Sequence, residues 1–202
     1  NLLDQDLEVI FDLEHFKLLT KNFNKSLVTF FVDIDNYKVV EIPKNNGEFR
    51  LLAIPSKDLK QYQNWILKNI LEKISISKNA KGFSKGLSIM ENAKSHTNKK
   101  CVLSIDFENF FPSITYERVF RIFKTVGYTN EVARMLSRIC TYMGTLPQGA
   151  PTSPYIANLV CLELDSNLEK YAFGKGITYT RYADDLTFSA NDELANHIIP
   201  IQ

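Results

Sequence analysis

The 202-residue chain is long enough for one sizeable core or two lobes sharing an interface, and its 45% hydrophobic content, with 14 Phe and 9 Tyr, excludes a disordered chain. Its formal charge of +1 hides a segregation: residues 1–43 hold 4 basic and 8 acidic side chains, residues 44–100 hold 12 and 4, and residues 101–202 hold 8 and 11. That division suits a protein that grips a polyanion with one region and holds cations with another, although a solvated lysine-rich face also fits the charge alone. Cys101, Cys140 and Cys161 are an odd number of cysteines in apolar surroundings, which predicts reduced core thiols rather than a disulfide or a metal site. Neither a leader nor an apolar run of about 18 residues is present, so no membrane partner and, by elimination, a cytoplasmic location are expected.

In chain order, Asp6–Leu19 reads as a weak helix. Tyr37–Ile42 and Glu48–Ile54 read as a strand pair around the turn Lys44-Asn-Asn-Gly47, stopped by Pro55. From Lys57 the period becomes helical, with Leu59, Tyr62, Ile66, Ile70 and Ile74 on one stripe. Gly82 to Leu87 reads as a loop, and Ser88 starts a short helix carrying Asn92 and leading to His96. Cys101–Phe107 is the clearest strand: Leu103, Ile105 and Phe107 share one face, and Val102, Ser104 and Asp106 the other. Helices follow at Tyr116–Val126 and Asn130–Met143, and a third runs from Ser153 to before Gly174 with Ile156, Val160, Leu164 and Leu168 as its stripe. Ile177–Tyr182 and Leu186–Ser189 form a hairpin with Asp184 and Asp185 at its tip. The order predicts an α+β fold whose small antiparallel sheet is backed by helices.

An acidic pair at a turn is ordinarily a solvated turn. Asp106 changes the reading, because it follows an apolar strand, and several carboxylates crowded at a packed edge resist ionisation unless cations neutralise them. Mg²⁺ takes one or two carboxylates plus substrate phosphates and water, and two such ions serve an in-line phosphoryl transfer. Asp106, Asp184 and Asp185 are therefore the candidate catalytic and metal residues.

Three segments, Asp106-Phe-Glu-Asn-Phe-Phe-Pro-Ser-Ile114, Leu146-Pro-Gln-Gly-Ala-Pro-Thr-Ser-Pro154 and Tyr182-Ala-Asp-Asp185, stand in the order found in reverse transcriptases of the bacterial retron and group II intron type, which this chain resembles over roughly residues 37–190. The resemblance implies a polymerase right-hand fold: an N-terminal segment at 1–36, fingers at 37–100 and palm at 101–190. Residues 191–202 are expected to begin a palm and thumb continuation absent from this chain. It also implies two Mg²⁺ ions held by Asp106, Asp184 and Asp185 with the Phe107 backbone. Lys44 and Arg50 would grip the triphosphate, Gln148 and Gly149 would meet the nucleotide and the template–primer pair, and Phe110 or Phe111 would exclude a 2′-hydroxyl, Phe110 being slightly preferred.

Asn92-Ala-Lys-Ser-His96 is similar to the Asn-Ala-x-x-His element of retron enzymes, which points Asn92 and His96 towards structured RNA; Arg181 could pair with an acid or reach primer phosphate. The implied function is an RNA-directed DNA polymerase. It would copy part of a cognate structured noncoding RNA into branched RNA-linked DNA, in phage defence. The implied partners are that RNA, an RNA/DNA duplex, deoxynucleoside triphosphates, an effector protein and a higher-order assembly. The alternatives are a group II intron-type mobile-element enzyme, an RNA replicase, and a noncatalytic RNA-binding scaffold in a toxin–antitoxin assembly.

Overall fold

The computed structural model describes residues 2, 6–23, 36–43, 47 and 49–191. Contacts divide the chain into two compact units, one of Asn1–Ser75 and Phe111–Ile156, the other of Ile76–Phe110 and Ala157–Gln202. Each unit is thus assembled from two separated stretches of sequence. Among the described residues no helix is long and apolar enough to cross a membrane.

In the first unit, helix α1 (Leu13–Leu19) starts later than the pattern predicts, because the Asp12 side chain accepts a hydrogen bond from the His15 amide at 2.8 Å and caps the helix there. Strands β1 (Tyr37–Pro43) and β2 (Phe49–Pro55) pair antiparallel, with Val39 opposite Ala53. Lys44 and most of the expected turn lie outside the described residues. Val39, Ile42, Phe49, Leu51 and Ile54 of this ribbon are exposed.

Helix α2 (Lys57–Asn69) is capped by Ser56 and buries Leu59, Tyr62, Gln63 and Ile66. It stops short of Ile74, and a 3₁₀ turn at Leu71–Lys73 takes over. Gln63 is buried without cost to its amide nitrogen, which donates to the Tyr37 hydroxyl at 2.7 Å and the Ile139 carbonyl at 2.9 Å. A one-turn helix, α4 (Phe110–Ser113), precedes helices α5 (Tyr116–Thr125) and α6 (Asn130–Cys140), which pack together with Val119, Phe123, Val132 and Leu136 buried; α3 (Ile89–Lys94) lies in the second unit. Burial of each such side chain contributes about 1.5–3 kcal/mol. Burial also pushes the Cys140 thiol up to about 12, so it is an inert core thiol as expected; Cys161 is buried too, whereas Cys101 is only half-buried.

Gly149 finds its reason within this unit. Its φ is +119°, and a Cβ there would stand 2.8 Å from the Ala53 carbonyl oxygen; beside it, the Ala53 amide donates to the Gln148 carbonyl at 2.7 Å. The missing side chain lets the Gln148–Gly149 backbone dock on β2. This is a structural reason for a glycine at 149, separate from the nucleic-acid contact expected of it. Gly149→Ala is expected to lower stability by about 1–3 kcal/mol through clash and backbone strain; a denaturation midpoint unchanged from wild type would refute that.

The second unit centres on a three-stranded antiparallel sheet in the order β3 (Cys101–Asp106), β5 (Asp185–Ala190), β4 (Thr178–Tyr182). Strand alternation divides its faces. Leu103, Ile105, Tyr179, Leu186 and Phe188 join Phe107, Ala172 and Leu168 in the core, while Val102, Ser104 and Asp106 are exposed on the opposite face, as predicted. The expected long helix is two helices, α7 (Ser153–Val160) and α8 (Leu162–Phe173), broken at Cys161. Short helix α3 (Ile89–Lys94), capped by Ser88, has no buried residue of its own.

Candidate active site

Register brings the acids together. Asp106 ends β3 directly opposite Asp185, the first residue of β5, and Asp185 is also paired with Tyr182 at the end of β4. The Phe107 amide donates to the Asp184 carbonyl at 3.1 Å, tying the end of β3 to the turn. Asp106 and Asp185 are exposed and Asp184 is half-buried. Partial burial, then the charges of Asp184 and Asp106, raise the pKa of Asp185, which is the like-charge crowding that a bound cation relieves.

Among the described residues, however, no three His, Cys, Asp or Glu side chains form a ready-made metal cage. The arrangement fits a hard divalent cation whose coordination is completed by substrate phosphates and water. It does not fit a closed structural metal site.

The turn between the acids is unusual in its backbone. Ala183 has φ +59° and is buried, a left-handed conformation that costs a non-glycine residue roughly 1–2 kcal/mol and persists only when its surroundings hold it. Arg181 does much of the holding. Its guanidinium donates from Nη1 to the Ala183 carbonyl at 2.9 Å and to Asn158 Oδ1 at 3.1 Å, and from Nε and Nη2 to the two carboxylate oxygens of Asp165 at 2.9 and 2.7 Å. Arg181 and Asp165 are both 0% exposed. Burial opposes the arginine charge, but the Asp165 carboxylate, together with Cys161 and Tyr179, raises the pKa overall. The reading of Arg181 as an RNA contact is therefore corrected: of its two alternatives, the structure shows the acid. Strand alternation explains it, since Arg181 shares its face with core Tyr179.

Asn92 and His96 are engaged in a comparable way. His96 is 9% exposed; its Nδ1 lies 2.6 Å from the Ser189 hydroxyl and its Nε2 2.7 Å from the Thr180 hydroxyl, which itself donates to Asn92 Oδ1 at 2.6 Å. With the Thr180 proton committed to Asn92, Nε2 is the donor to Thr180, while Nδ1 pairs with Ser189. Burial, with Lys99 nearby, lowers the pKa of the ring. These groups fasten the α3 segment to β4 and β5. This corrects the expectation that the His96 ring and Asn92 Oδ1 are presented to RNA.

Phe110, one of the two residues expected to exclude a 2′-hydroxyl, packs inward. It is buried, its ring stacked on Phe107 with centroids 5.6 Å apart, while Phe111 is half-buried. In the first unit, Arg50 is exposed on β2. The Gln148 Oε1 atom is buried without a hydrogen-bond partner among the described residues. Sequence reasoning missed Asp165 and Asn158. The signal for Asp165 was its place on the stripe Cys161, Asp165, Leu168, Ala172 at helical spacing.

Residues 42–201 match the family described as reverse transcriptase (RNA-dependent DNA polymerase). The chain is 46% identical over 156 residues to the retron Ec86 reverse transcriptase of Escherichia coli, covering 76% of this chain and 49% of that protein. It is 40% identical over 166 residues to the retron Mx162 reverse transcriptase of Myxococcus xanthus, covering 73% of this chain and 34% of that one. The chain thus spans half or less of the length of these relatives. Among solved structures, telomerase from Candida albicans superposes with a TM-score of 0.55 at 9% identity, over 93% of this chain and 44% of the telomerase. Telomerase from Candida tropicalis gives 0.52 at 11%, over 93% and 51%. These likenesses bear out the α+β fingers-and-palm fold expected of the sequence, and the chain belongs to the reverse transcriptase family, of the bacterial retron type.

Proposed function

We propose that the protein is an RNA-directed DNA polymerase which copies part of a cognate structured RNA into DNA by two-metal phosphoryl transfer. The observation that carries this reading is the register placing Asp106 opposite Asp185, with Asp184 adjacent, at one end of the sheet, in a chain of this family. Asp106 and Asp184 would hold the divalent cations, with Asp185 assisting and the Phe107 backbone contributing. Cations bound there would supply charge neutralisation at the phosphates and a lowered pKa for the attacking hydroxyl. The bond formed joins the primer oxygen to the α-phosphorus, and pyrophosphate leaves.

The other roles follow from residues within their own units. Arg50, with Lys44, grips the triphosphate, Arg offering a planar fork to its oxygens. The orphan Gln148 Oε1 accepts from a hydroxyl of the nucleotide sugar. Because Phe110 is committed to the core, Phe111 is the aromatic that excludes a 2′-hydroxyl. Phe111→Ala is expected to improve relative use of ribonucleotides by about 10–100-fold, the scale of one to three kcal/mol of steric discrimination. Unchanged sugar preference in single-nucleotide incorporation would remove Phe111 from this role.

We further propose a finer reading, which the resemblance to retron enzymes implies: priming from a 2′-hydroxyl of the cognate RNA, a branched RNA–DNA product, an effector partner, and phage defence. The test is sequencing of nucleic acid copurified with the full-length protein, with RNase and debranching treatments in parallel. A discrete DNA joined through a 2′–5′ branch to one structured RNA supports it. A spliced, unbranched intron RNA overturns it in favour of the intron-type enzyme.

A further inference from the structure

The buried side of the catalytic turn is held by more than Arg181. The loop before α3 runs alongside β4: the Arg181 amide donates to the Asn79 carbonyl at 2.8 Å, and the Lys81 amide donates to the Arg181 carbonyl at 2.7 Å, an isolated parallel bridge centred on Ala80 and Arg181. The next residue, Gly82, touches the turn itself. A Cβ on Gly82 would lie 2.5 Å from the Ala183 nitrogen and 3.0 Å from the Tyr182 carbonyl carbon. Asn158 closes the circuit, donating from Nδ2 to the Gly82 carbonyl at 3.0 Å while its Oδ1 accepts from Arg181.

We infer that Arg181, Asp165, Asn158 and Gly82 form a positioning cradle that holds the left-handed Ala183 turn, and thereby sets the direction in which Asp184 offers its carboxylate to the divalent cations. The inference rests on the polymerase reading above. The argument is one of over-determination. A strained turn with two adjacent acids at its end would relax if held only by its flanking strands. Here one guanidinium nitrogen grips its carbonyl, two others are locked on a buried carboxylate, and a glycine lets a separate loop press against its amide. None of the four residues needs to touch substrate. Each fixes an atom that fixes Asp184.

A cradle that only stabilised the fold would change melting behaviour and nothing else in the folded protein. A positioning cradle changes metal affinity and turnover together, as supporting residues behind metal ligands do, commonly by 10–100-fold. Gly82→Ala is the informative variant, because it removes no charge and no hydrogen bond and pushes only on the turn. Arg181→Lys keeps the positive charge but loses the planar fork, so charge alone should not rescue.

The experiment uses the full-length protein with a dideoxy-terminated primer–template and matched deoxynucleotide, and reads Mn²⁺ binding by electron paramagnetic resonance. Thermal melting, kcat and KM are measured alongside. The expected result for both variants is Mn²⁺ affinity weakened by about tenfold and kcat lowered by about 10–100-fold, with nucleotide KM within about twofold because the triphosphate contacts are untouched. Folded variants that match wild type in Mn²⁺ affinity and kcat, even with lowered melting temperatures, overturn the cradle and leave the polymerase reading intact. A wild-type protein that neither binds Mn²⁺ there nor extends a normal primer overturns both.

Discussion

Replacing Asp106 or Asp184 by Asn reduces templated DNA extension by the full-length protein by about a thousandfold or more, the scale lost when a principal electrostatic group is removed from a preorganised site, with the melting temperature unchanged or slightly raised. Both halves of this expectation come from the same geometry. Asn preserves shape and one oxygen but removes the charge that a hard cation requires. The three acids meet at one end of the sheet, and Asp184 and Asp106 already press on Asp185, so deleting one charge relieves repulsion. Primer extension and thermal denaturation of each variant decide it. Retained extension by either would dismiss that acid as a ligand, and a large fall in melting temperature would mean the acid serves the fold instead.

The second large effect concerns stability. Asp165→Leu leaves the Arg181 guanidinium charged, buried and without its carboxylate, and is expected to cost about 3–5 kcal/mol. In a domain of this size that corresponds to a fall of roughly 6–20 °C in melting temperature. The double variant Asp165→Leu with Arg181→Met should recover most of the loss, because the expense lies in an unpaired buried charge and not in the absence of an ion pair. A double variant as unstable as the single one would show that the hydrogen bonds to Asn158, Ala183 and Tyr179 dominate. Tyr179 bears on this, since its hydroxyl donates to Asp165 Oδ1 at 2.7 Å.

What was legible in the sequence depended on period. Strand β3 announced both of its faces because its apolar and polar residues alternate from Leu103 to Phe107. The three motif segments gave the acids and their order. The same alternation, applied to Thr178–Tyr182, would have placed Arg181 on the core side with Tyr179, but a positive charge beside an acidic turn invited an electrostatic role at the surface.

The long third helix failed for a related reason. Its apolar stripe was traced through Val160 and Leu164, which are only half-buried, whereas Ala157, Cys161 and Asp165, one position further round at the same helical spacing, face inward. An acid is not counted as core until its partner is known, and that partner lies 16 residues away. His96 and Asn92 were recognised by spacing but not by environment, because Thr180 and Ser189, which occupy them, are distant in sequence. Phe110 and Phe111 could not be separated by spacing at all. Only burial distinguishes them.

The β1–β2 ribbon has a consequence for handling the protein in solution. Two strands cannot shelter apolar side chains on either side, and the outer edge of β1 has no strand partner among the described residues. Extended, greasy and unpaired, such an edge is a template on which a second chain can add a strand. Lys38, Glu41 and Arg50 are distributed along the same ribbon, and charges so placed discourage stacking. Their neutralisation, whether by substitution or by salt strong enough to screen them, would favour clumping before it altered any chemistry.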